Sequence, residues 1–292
     1  MFKDLWEFRA GLVEKNLQLE LQRTQILDEK LARAMEYSLL NGGKRLRPVL
    51  LMAAADAVNG TGENFLTVAS AFEIVHTYSL IHDDLPAMDN DDYRRGRLTN
   101  HKVFGEATAI LAGDALLTLA FEVVTRQKNI SQAALLSVIR ELSTAAGAGG
   151  MVGGQVIDLE SEGKTIDMAT LKKMHIGKTG ALFKAAIRSG AILANANAAQ
   201  LNALTRYAEN FGLAFQITDD ILDVTGDEKN LGKPVGSDAR NKKSTYVTLT
   251  SLETAKSLAG DAVNDAVAAL KNFGDEAEFL RELVLHMPAR KK

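Results

Sequence analysis

The chain has 292 residues, of which 46% are hydrophobic and 24% are charged, and its net charge is −3 at pH 7. These proportions are those of an ordinary globular protein, and the small net charge excludes a global basic field for binding nucleic acid or an anionic membrane surface. The chain contains no cysteine, which excludes disulfides and thiol chemistry and is consistent with a reducing compartment.

The N-terminal segment MFKDLWEFRAGLVEKN carries charges throughout and lacks the unbroken apolar stretch of a signal peptide. No apolar run approaches the roughly 18 residues of a membrane span. We therefore expect a cytoplasmic protein without a membrane-spanning segment.

Abundant Ala and Leu, only four prolines and few alternating apolar patterns predict an all-α chain. Asp28 is a candidate N-cap, Pro48 suits a first helical turn, and Pro86 should end a helix before it. The predicted helices cover residues 2–22, 28–40, 48–58, 63–83, 105–126, 131–146, 167–193 (interrupted by Gly177 and Gly180), 197–224, 244–272 and 275–287. We expect one domain over residues 1–292, a bundle of about ten helices that is large enough to hold a central cavity.

The stretch LIHDDLPAMDNDDYRRGR, residues 80–97, concentrates five Asp and three Arg in eighteen positions. No hydrophobic core needs such a cluster, and like charges this close repel unless water or a counter-ion relieves them. Carboxylates bind metal ions, and the adjacent guanidinium groups of Arg94 and Arg95 can bind phosphate oxygens in pairs. The stretch is therefore typical of a site for a metal-bound diphosphate.

A second acidic run, FQITDDILDV, contains Asp219, Asp220 and Asp223 on a predicted helix. At about 100° per residue, the three carboxylates fall on one face, which also carries Gln216. Magnesium is the expected counter-ion, because it takes oxygen ligands and usually joins carboxylates to substrate phosphates. Taken alone, the run could also be an ordinary solvated helix face.

Further cationic groups lie outside these runs. The segment GGKRLRP places Lys44, Arg45 and Arg47 beside a glycine turn, although by itself it could be a basic surface loop. The segment GKTG, residues 177–180, resembles part of a phosphate-binding loop, but no strand precedes it and the full Walker pattern is absent. Two carboxylate clusters and several cationic groups on an apolar helical chain predict a substrate with diphosphate groups and a hydrocarbon body.

Six segments carry a resemblance to a known family: GGKRLRP, EIVHTYSLIHDDLPAMDNDDYRRG, GGQVIDL, GKTGALF, FQITDDILDVTGD and GKPVGSD. They resemble the motifs of the trans-isoprenyl diphosphate synthases, in family order over residues 41 to about 246, and are most similar to the bacterial farnesyl diphosphate synthases. The resemblance implies the isoprenoid synthase fold, a homodimer and a magnesium-dependent prenyltransferase, typically with three magnesium ions. It implies head-to-tail condensation of isopentenyl diphosphate with dimethylallyl and geranyl diphosphate to (2E,6E)-farnesyl diphosphate.

The resemblance also implies a role for each matching residue. The expected magnesium ligands are Asp83, Asp84, Asp89, Asp219, Asp220 and Asp223. The expected ligands of the allylic diphosphate are Arg94, Lys178 and Lys233, and those of isopentenyl diphosphate are Lys44, Arg47, His76 and Arg95. Thr179 and Gln216 should lie near the reacting carbons with Lys178, where dipoles stabilise the allylic cation.

Two of these residues lie on an apolar helix, where a structural role is the usual alternative. His76 precedes Asp83 by two helical turns and should share its face, although a buried, hydrogen-bonded histidine would give the same pattern. In the family, product length is set just upstream of the first motif, at the positions of Tyr78 and Ser79. Tyr78 could equally be an ordinary core aromatic.

Three other functions are weighed against this one. A geranyl or geranylgeranyl diphosphate synthase would differ only in pocket depth. A terpene cyclase usually lacks a second complete aspartate motif and the GGKRLRP segment, and a non-catalytic helical partner subunit should have lost one aspartate cluster. The presence of all these motifs weighs against the cyclase and the partner subunit. The bulky ring of Tyr78 and two extra residues in the first motif, Pro86 and Ala87, are similar to the bacterial farnesyl type.

Overall fold

Helices make up almost all of the regular structure in residues 2–226 and 243–288, which the computed structural model describes. The predicted all-α class is thereby confirmed. The fourteen α-helices of these residues are α1 (Phe2–Arg23), α2 (Glu29–Leu39), α3 (Leu46–Asp56), α4 (Leu66–Asp83), α5 (Asn100–Phe104), α6 (Glu106–Thr125), α7 (Gln132–Ala146), α8 (Met151–Ser161), α9 (Met168–His175), α10 (Ala181–Leu193), α11 (Ala198–Thr225), α12 (Tyr246–Leu249), α13 (Leu252–Ala269) and α14 (Glu278–Leu285). Two 3₁₀ turns cover Gly62–Phe65 and Asp275–Ala277, a π-helical turn covers Ile176–Gly180, and β1 (Tyr93–Arg94) pairs antiparallel with β2 (Arg97–Leu98).

The chain divides into two compact units. Unit 1 comprises Met1–Met52 and Thr61–Ile139, and unit 2 comprises Ala53–Gly60 and Arg140–Lys292. The first aspartate motif and the GGKRLRP segment belong to unit 1, whereas the GKTG segment and the second aspartate motif belong to unit 2. The single domain over residues 1–292 stays a prediction.

Several helix ends follow their sequence signals. The Asp28 carboxylate accepts a hydrogen bond from the third backbone N–H after it and caps α2. Ser131 caps α7 in the same way, and Pro48 lies in the first turn of α3. Helix α4 ends at Asp83, three residues before Pro86. Side-chain acceptors and proline sterics act locally, which is why the sequence predicted these ends.

Other elements were not predicted. Helix α8 contains Gly153 and Gly154. Glycine costs a helix interior roughly 1 kcal/mol, so the sequence does not predict a helix in this segment. The predicted helix over 244–272 is divided at Thr250, and Ser251 caps α13. The hairpin of β1 and β2 was also missed, because two-residue strands carry no periodic pattern.

The core of unit 1 is built around α4 and α6, which pack against each other along their length. Their buried residues include Val68, Phe72, Val75, Ala109, Ala112, Leu116 and Ala120. Among the described helices, α6 is long and apolar enough to cross a membrane, and 44% of its apolar window is buried inside the protein. The core helices of soluble proteins share this property. Glu106, Asp114 and Glu122 interrupt this segment, so the sequence shows no unbroken apolar run here.

The core of unit 2 forms around α11, whose 28 residues pack against α10 and α13. The ring centroids of Phe183 and Phe211 lie 5.3 Å apart in an edge-to-face arrangement, and those of Phe183 and Phe215 lie 5.0 Å apart. Such aromatic pairs contribute about 0.5–1.5 kcal/mol beyond their area burial. They anchor α11, which carries the second aspartate motif.

Candidate active site

The first aspartate motif begins at the C-terminal end of α4 and continues into a turn. Pro86 and Ala87, the two residues that lengthen the motif, occupy this turn. The backbone N–H of Asp89 donates a hydrogen bond to the carbonyl of Asp83 at 2.9 Å. The turn therefore places the first and last aspartates of the motif next to each other, and both are half-buried.

The middle aspartate of this motif is bound to protein. Asp84 is only 3% exposed. Its Oδ1 atom accepts a hydrogen bond from Arg94 Nε at 2.7 Å and lies 2.6 Å from Arg94 Nη2. Burial raises the pKa of Asp84 while Arg94 opposes the rise. Burial disfavours charge on Arg94 too, but Asp84 and Asp91 outweigh it and raise the pKa of Arg94. In this structure Arg94, an expected diphosphate ligand, instead holds Asp84.

A tight hairpin presents the arginines after the motif. Arg95 and Gly96 form its two-residue turn with φ values of +53° and +75°, and a turn with both residues left-handed matches the twist of the flanking strands. The two aspartates without a predicted role stabilise this region: Asp91 lies 3.5 Å from Arg94, and Asp92 lies 2.7 Å from Lys102.

Four predicted ligands of the two diphosphates form a basic cluster in unit 1: Arg47, His76, Arg94 and Arg95. Burial, reinforced by Arg95, lowers the pKa of Arg47 to about 10. Burial also lowers the pKa of His76 well below its ordinary value, with Arg47, Arg95 and Arg94 acting in the same direction. Arg47, His76 and Arg95 each sense positive charge on neighbouring arginines, and an anion bound among them would relieve this repulsion. Arg94 is instead balanced by Asp84 and Asp91.

Glycine residues in the GGKRLRP segment make room for this cluster. Arg95 donates a hydrogen bond to the Gly42 carbonyl, and a Cβ atom on Gly43 would lie 2.6 Å from the Arg95 guanidinium carbon. The Lys44 carbonyl accepts a hydrogen bond from the Trp6 indole at 3.0 Å, and the Lys44 residue is exposed.

Arg45 differs from its basic neighbours because it is 1% exposed. It donates hydrogen bonds to Glu14 and Glu73, both at 2.7 Å, and to the Leu39 carbonyl at 2.8 Å. Burial opposes its charge, but the two glutamates raise the pKa of Arg45. One residue of the basic motif is therefore a structural anchor, and Lys44 and Arg47 remain as candidate ligands.

The predicted chain-length residues lie one helical turn before the first motif. Tyr78 is 6% exposed, and its ring packs edge-on against the His82 ring with centroids 5.6 Å apart. His82 Nε2 in turn lies 3.0 Å from the Ile110 carbonyl on α6. Ser79 donates a hydrogen bond to the His76 carbonyl at 2.8 Å. Tyr78 is thus held in a defined position one helical turn before the aspartates.

The second motif repeats the pattern of the first in unit 2. Asp219 and Asp223 are half-buried, whereas Asp220 is 4% exposed. Asp220 Oδ2 accepts the backbone N–H of Tyr246 at 2.8 Å, and Oδ1 accepts Gln216 Nε2 at 3.4 Å. In both motifs the second aspartate is buried and bound to a cationic or amide donor, and the other two aspartates of the motif are more accessible.

Lys178 and Thr179 occupy the π-helical turn between α9 and α10. Lys178 Nζ contacts Asp158 Oδ2 on α8 at 2.6 Å, and Lys243 Nζ lies 3.9 Å from the same atom. Burial would raise the pKa of Asp158, but Lys178 and Lys243 outweigh it, so that the pKa lies below its ordinary value. Single π-helical turns are rare in proteins overall, but many of those that occur lie at functional sites.

Magnesium suits the oxygen donors of the two motifs, although the described residues gather no group of three or more His, Cys, Asp or Glu side chains that could hold a metal ion. Magnesium is commonly bound through one or two carboxylates, with water and substrate phosphates completing its shell. The paired positions of Asp83 and Asp89 fit such a site, and the residues present are compatible with the predicted metal.

Sequence reasoning did not assign two residues of this region, Asp158 and Tyr246. Asp158 lies in the motif GGQVIDL, which could have suggested it, whereas nothing in the sequence links the backbone of Tyr246 to Asp220. Lys233, an expected ligand of the allylic diphosphate, and Asp238, which is in the same GKPVGSD segment, lie outside the described residues.

Comparisons with known proteins cover nearly the whole chain. The model of the polyprenyl synthetase family matches residues 28–284. The farnesyl diphosphate synthase of Micrococcus luteus is 50% identical over 263 residues, which cover 90% of each chain. The geranylgeranyl diphosphate synthase of Cyanophora paradoxa is 46% identical over 274 residues, or 92% of this chain and 90% of the relative. The apo structure of an FPP/GFPP synthase from Zymomonas mobilis superposes with a TM-score of 0.88 and 39% identity over 98% of both chains, which confirms the isoprenoid synthase fold.

Proposed function

Because this chain belongs to the polyprenyl synthetase family, we propose that it is a farnesyl diphosphate synthase. It condenses isopentenyl diphosphate with dimethylallyl diphosphate and then with geranyl diphosphate, and the product is (2E,6E)-farnesyl diphosphate. Supporting this product, relatives named farnesyl diphosphate synthase are 43–50% identical over most of the chain.

The basic cluster of Arg47, His76, Arg94 and Arg95 is the single observation that carries the proposal. Burial, together with repulsion from neighbouring arginines, lowers the pKa of Arg47 and of His76, and a bound diphosphate would supply negative charge among these groups. Lys44, Arg47, His76 and Arg95 bind isopentenyl diphosphate. Planar guanidinium groups bind phosphate oxygens in pairs, which fixes the orientation of the substrate.

The allylic diphosphate is bound by Arg94, Lys178 and Lys233, of which Lys233 lies outside the described residues. Arg94 contacts Asp84 and Lys178 contacts Asp158 before substrate binds. These contacts restrain each cation, so that less side-chain entropy is lost when the diphosphate arrives.

Asp83, Asp84, Asp89, Asp219, Asp220 and Asp223 hold magnesium together with the allylic diphosphate. Asp83, Asp89, Asp219 and Asp223 contribute the more accessible oxygens, while Asp84 and Asp220 also accept hydrogen bonds from protein donors. When bound, magnesium supplies positive charge that stabilises the departing diphosphate.

The residues of the chain stabilise the allylic cation that remains. Gln216 donates its amide N–H to Asp220, which leaves the carbonyl end of the same amide to face positive charge. Thr179 and the backbone of the π turn supply further dipoles. The double bond of isopentenyl diphosphate attacks the cation, and the departing diphosphate takes the proton that is lost.

Product length is limited by Tyr78, with Ser79 beside it. The Tyr78 ring is buried and fixed by His82, so a growing chain that reaches it finds no space. The C20 product is the alternative for this chain, because one relative is named a geranylgeranyl diphosphate synthase and pocket depth can change with one side chain.

We also propose that the enzyme is a cytoplasmic homodimer that binds no nucleic acid. Unit 1 exposes several large apolar side chains on α5, α6 and α7, where soluble monomers favour polar residues. These are Val103, Ile110, Leu111 and Leu136. A second copy of the chain would cover them.

An assay with defined substrates tests the proposal. The protein is incubated with magnesium, dimethylallyl diphosphate and isopentenyl diphosphate, and the products are identified by liquid chromatography with mass spectrometry. Farnesyl diphosphate is expected. A terpene cyclase would instead convert a single prenyl diphosphate into hydrocarbons without isopentenyl diphosphate. If no isopentenyl diphosphate is consumed, the proposed function is wrong.

A further inference from the structure

The π turn that carries Lys178 and Thr179 is packed directly against the backbone of its neighbours. A Cβ atom on Gly177 would lie 3.0 Å from the Gly150 carbonyl oxygen and 3.1 Å from the Gly154 Cα atom. On the other side of the turn, a Cβ atom on Gly212 of α11 would lie 3.2 Å from the Gly180 Cα atom. The turn is therefore held between two helices, with little space for any side chain at these contacts.

Gly154 on α8 makes the closest of these approaches. A Cβ atom there would lie 2.7 Å from both the Gly177 carbonyl carbon and the Lys178 Cα atom, and closer still to the Lys178 nitrogen. These are backbone atoms, so no rotamer change could relieve the overlap. Any side chain at this position would force α8 and the π turn apart.

The same face of α8 also holds the other end of Lys178. Asp158 follows Gly154 by four residues, about 40° around the helix, and its carboxylate contacts Lys178 Nζ at 2.6 Å. Helix α8 thus contacts Lys178 twice, at the backbone through Gly154 and at the ammonium group through Asp158. Both contacts depend on the distance between α8 and the turn.

We propose that Gly154 is a positioning residue for the condensation reaction. Its missing side chain lets α8 lie against the π turn, and this contact sets where the Lys178 ammonium group and the Thr179 dipoles lie. The inference rests on the proposed function, because that function gives Lys178 and Thr179 their roles. It also explains the glycines of GKTG and GGQVIDL, which serve backbone packing rather than a phosphate loop.

Gly154→Ala is the test, and Gly149→Ala is its matched control. Gly149 lies five residues earlier, is exposed, and a Cβ atom there would meet nothing within 4 Å. We compare the steady-state turnover of each variant with that of wild type. We also compare the dissociation constants of the two diphosphates, which are measured by calorimetry in the presence of magnesium. For Gly154→Ala we expect kcat to fall about 100-fold, the loss typical of a misplacement of about 1 Å.

Binding separates positioning from general damage. Gly154→Ala should weaken dimethylallyl diphosphate at least tenfold, because its expected ligand Lys178 has moved. Isopentenyl diphosphate, whose expected ligands belong to unit 1, should bind as in wild type. Equal weakening of both diphosphates would indicate general misfolding and would overturn the inference, as would a Gly154→Ala enzyme with wild-type kcat.

A crystal structure of Gly154→Ala tests the geometry independently of activity. We expect the turn to be displaced and Lys178 Nζ to lose its contact with Asp158; a retained contact would contradict the inference. If wild type shows no turnover, the proposed function fails, and this structure still decides whether Gly154 sets the turn. Should Gly154→Ala not fold, Gly177→Ala probes the same contact with a smaller overlap.

Discussion

Replacing Arg45 by Met should damage the fold rather than the chemistry, although Arg45 lies between two residues of the predicted substrate site. Its side chain is buried and donates hydrogen bonds to Glu14, Glu73 and the Leu39 carbonyl. In the variant, Glu73, which is 1% exposed, would lose its cationic partner.

The expected size of the effect follows from the cost of an unpaired buried charge. Breaking a buried ion pair at one partner typically costs about 3–5 kcal/mol. For a chain of this size each kcal/mol lowers the melting temperature by roughly 2–4 °C. Arg45→Met should therefore melt roughly 6–20 °C below wild type.

Thermal unfolding followed by circular dichroism measures the change. Lys44→Met is the matched control, because Lys44 is exposed and surface substitutions usually change stability by less than about 0.5 kcal/mol. The double variant Arg45→Met with Glu73→Leu should recover at least half of the loss, since replacing both charges removes the unpaired group. A single variant melting within 2 °C of wild type would refute this account of Arg45.

Three further outcomes are expected. Tyr78→Ala should lengthen the product beyond C15, as measured by reversed-phase chromatography. An unchanged C15 product would contradict the proposal that Tyr78 limits product length. Burial lowers the pKa of His175 from 6.5 to about 4, so the folded state resists protonation and stability is lost as the pH falls from 6.5 towards 4. At pH 5 the loss is about 2 kcal/mol, and His175→Phe should flatten the pH dependence of urea unfolding; an unaltered slope would exclude His175 as its source. Chelating magnesium should abolish turnover reversibly, and magnesium should raise the melting temperature clearly only when a diphosphate is present, because the phosphates complete its shell; activity that persists after chelation would exclude the metal-dependent mechanism.

Local features of the fold were the most predictable from the sequence. Asp28 and Ser131 cap helices through hydrogen bonds to residues three positions away, so the relevant information lies within one turn. Pro86 ends α4 for a steric reason of equally short range. Helix α8 escaped prediction because Gly154 makes a poor helix residue locally, and only its contact with the Lys178 turn, more than 20 residues away, explains it.

The division of labour inside each motif could not be predicted. Asp84 and Asp220 have the same residue type as the aspartates beside them, yet both are buried and hold a donor brought by another segment. Which carboxylate is buried depends on how the helix end is rotated relative to its neighbours. The sequence does not indicate this rotation, because aspartates at adjacent positions carry the same charge.

The GGKRLRP segment leads to the same conclusion by a different route. Arg45 has a left-handed backbone, with φ at +49°, and its side chain is buried in unit 1. Burial, together with the nearby Arg95, lowers the pKa of Arg47. A motif therefore identifies the chemistry of a region, but the tertiary fold decides which of its charges meet substrate. Substitutions along one motif should accordingly separate into those that lower the melting temperature and those that lower turnover, and Arg45 and Arg47 provide the closest such pair in this chain.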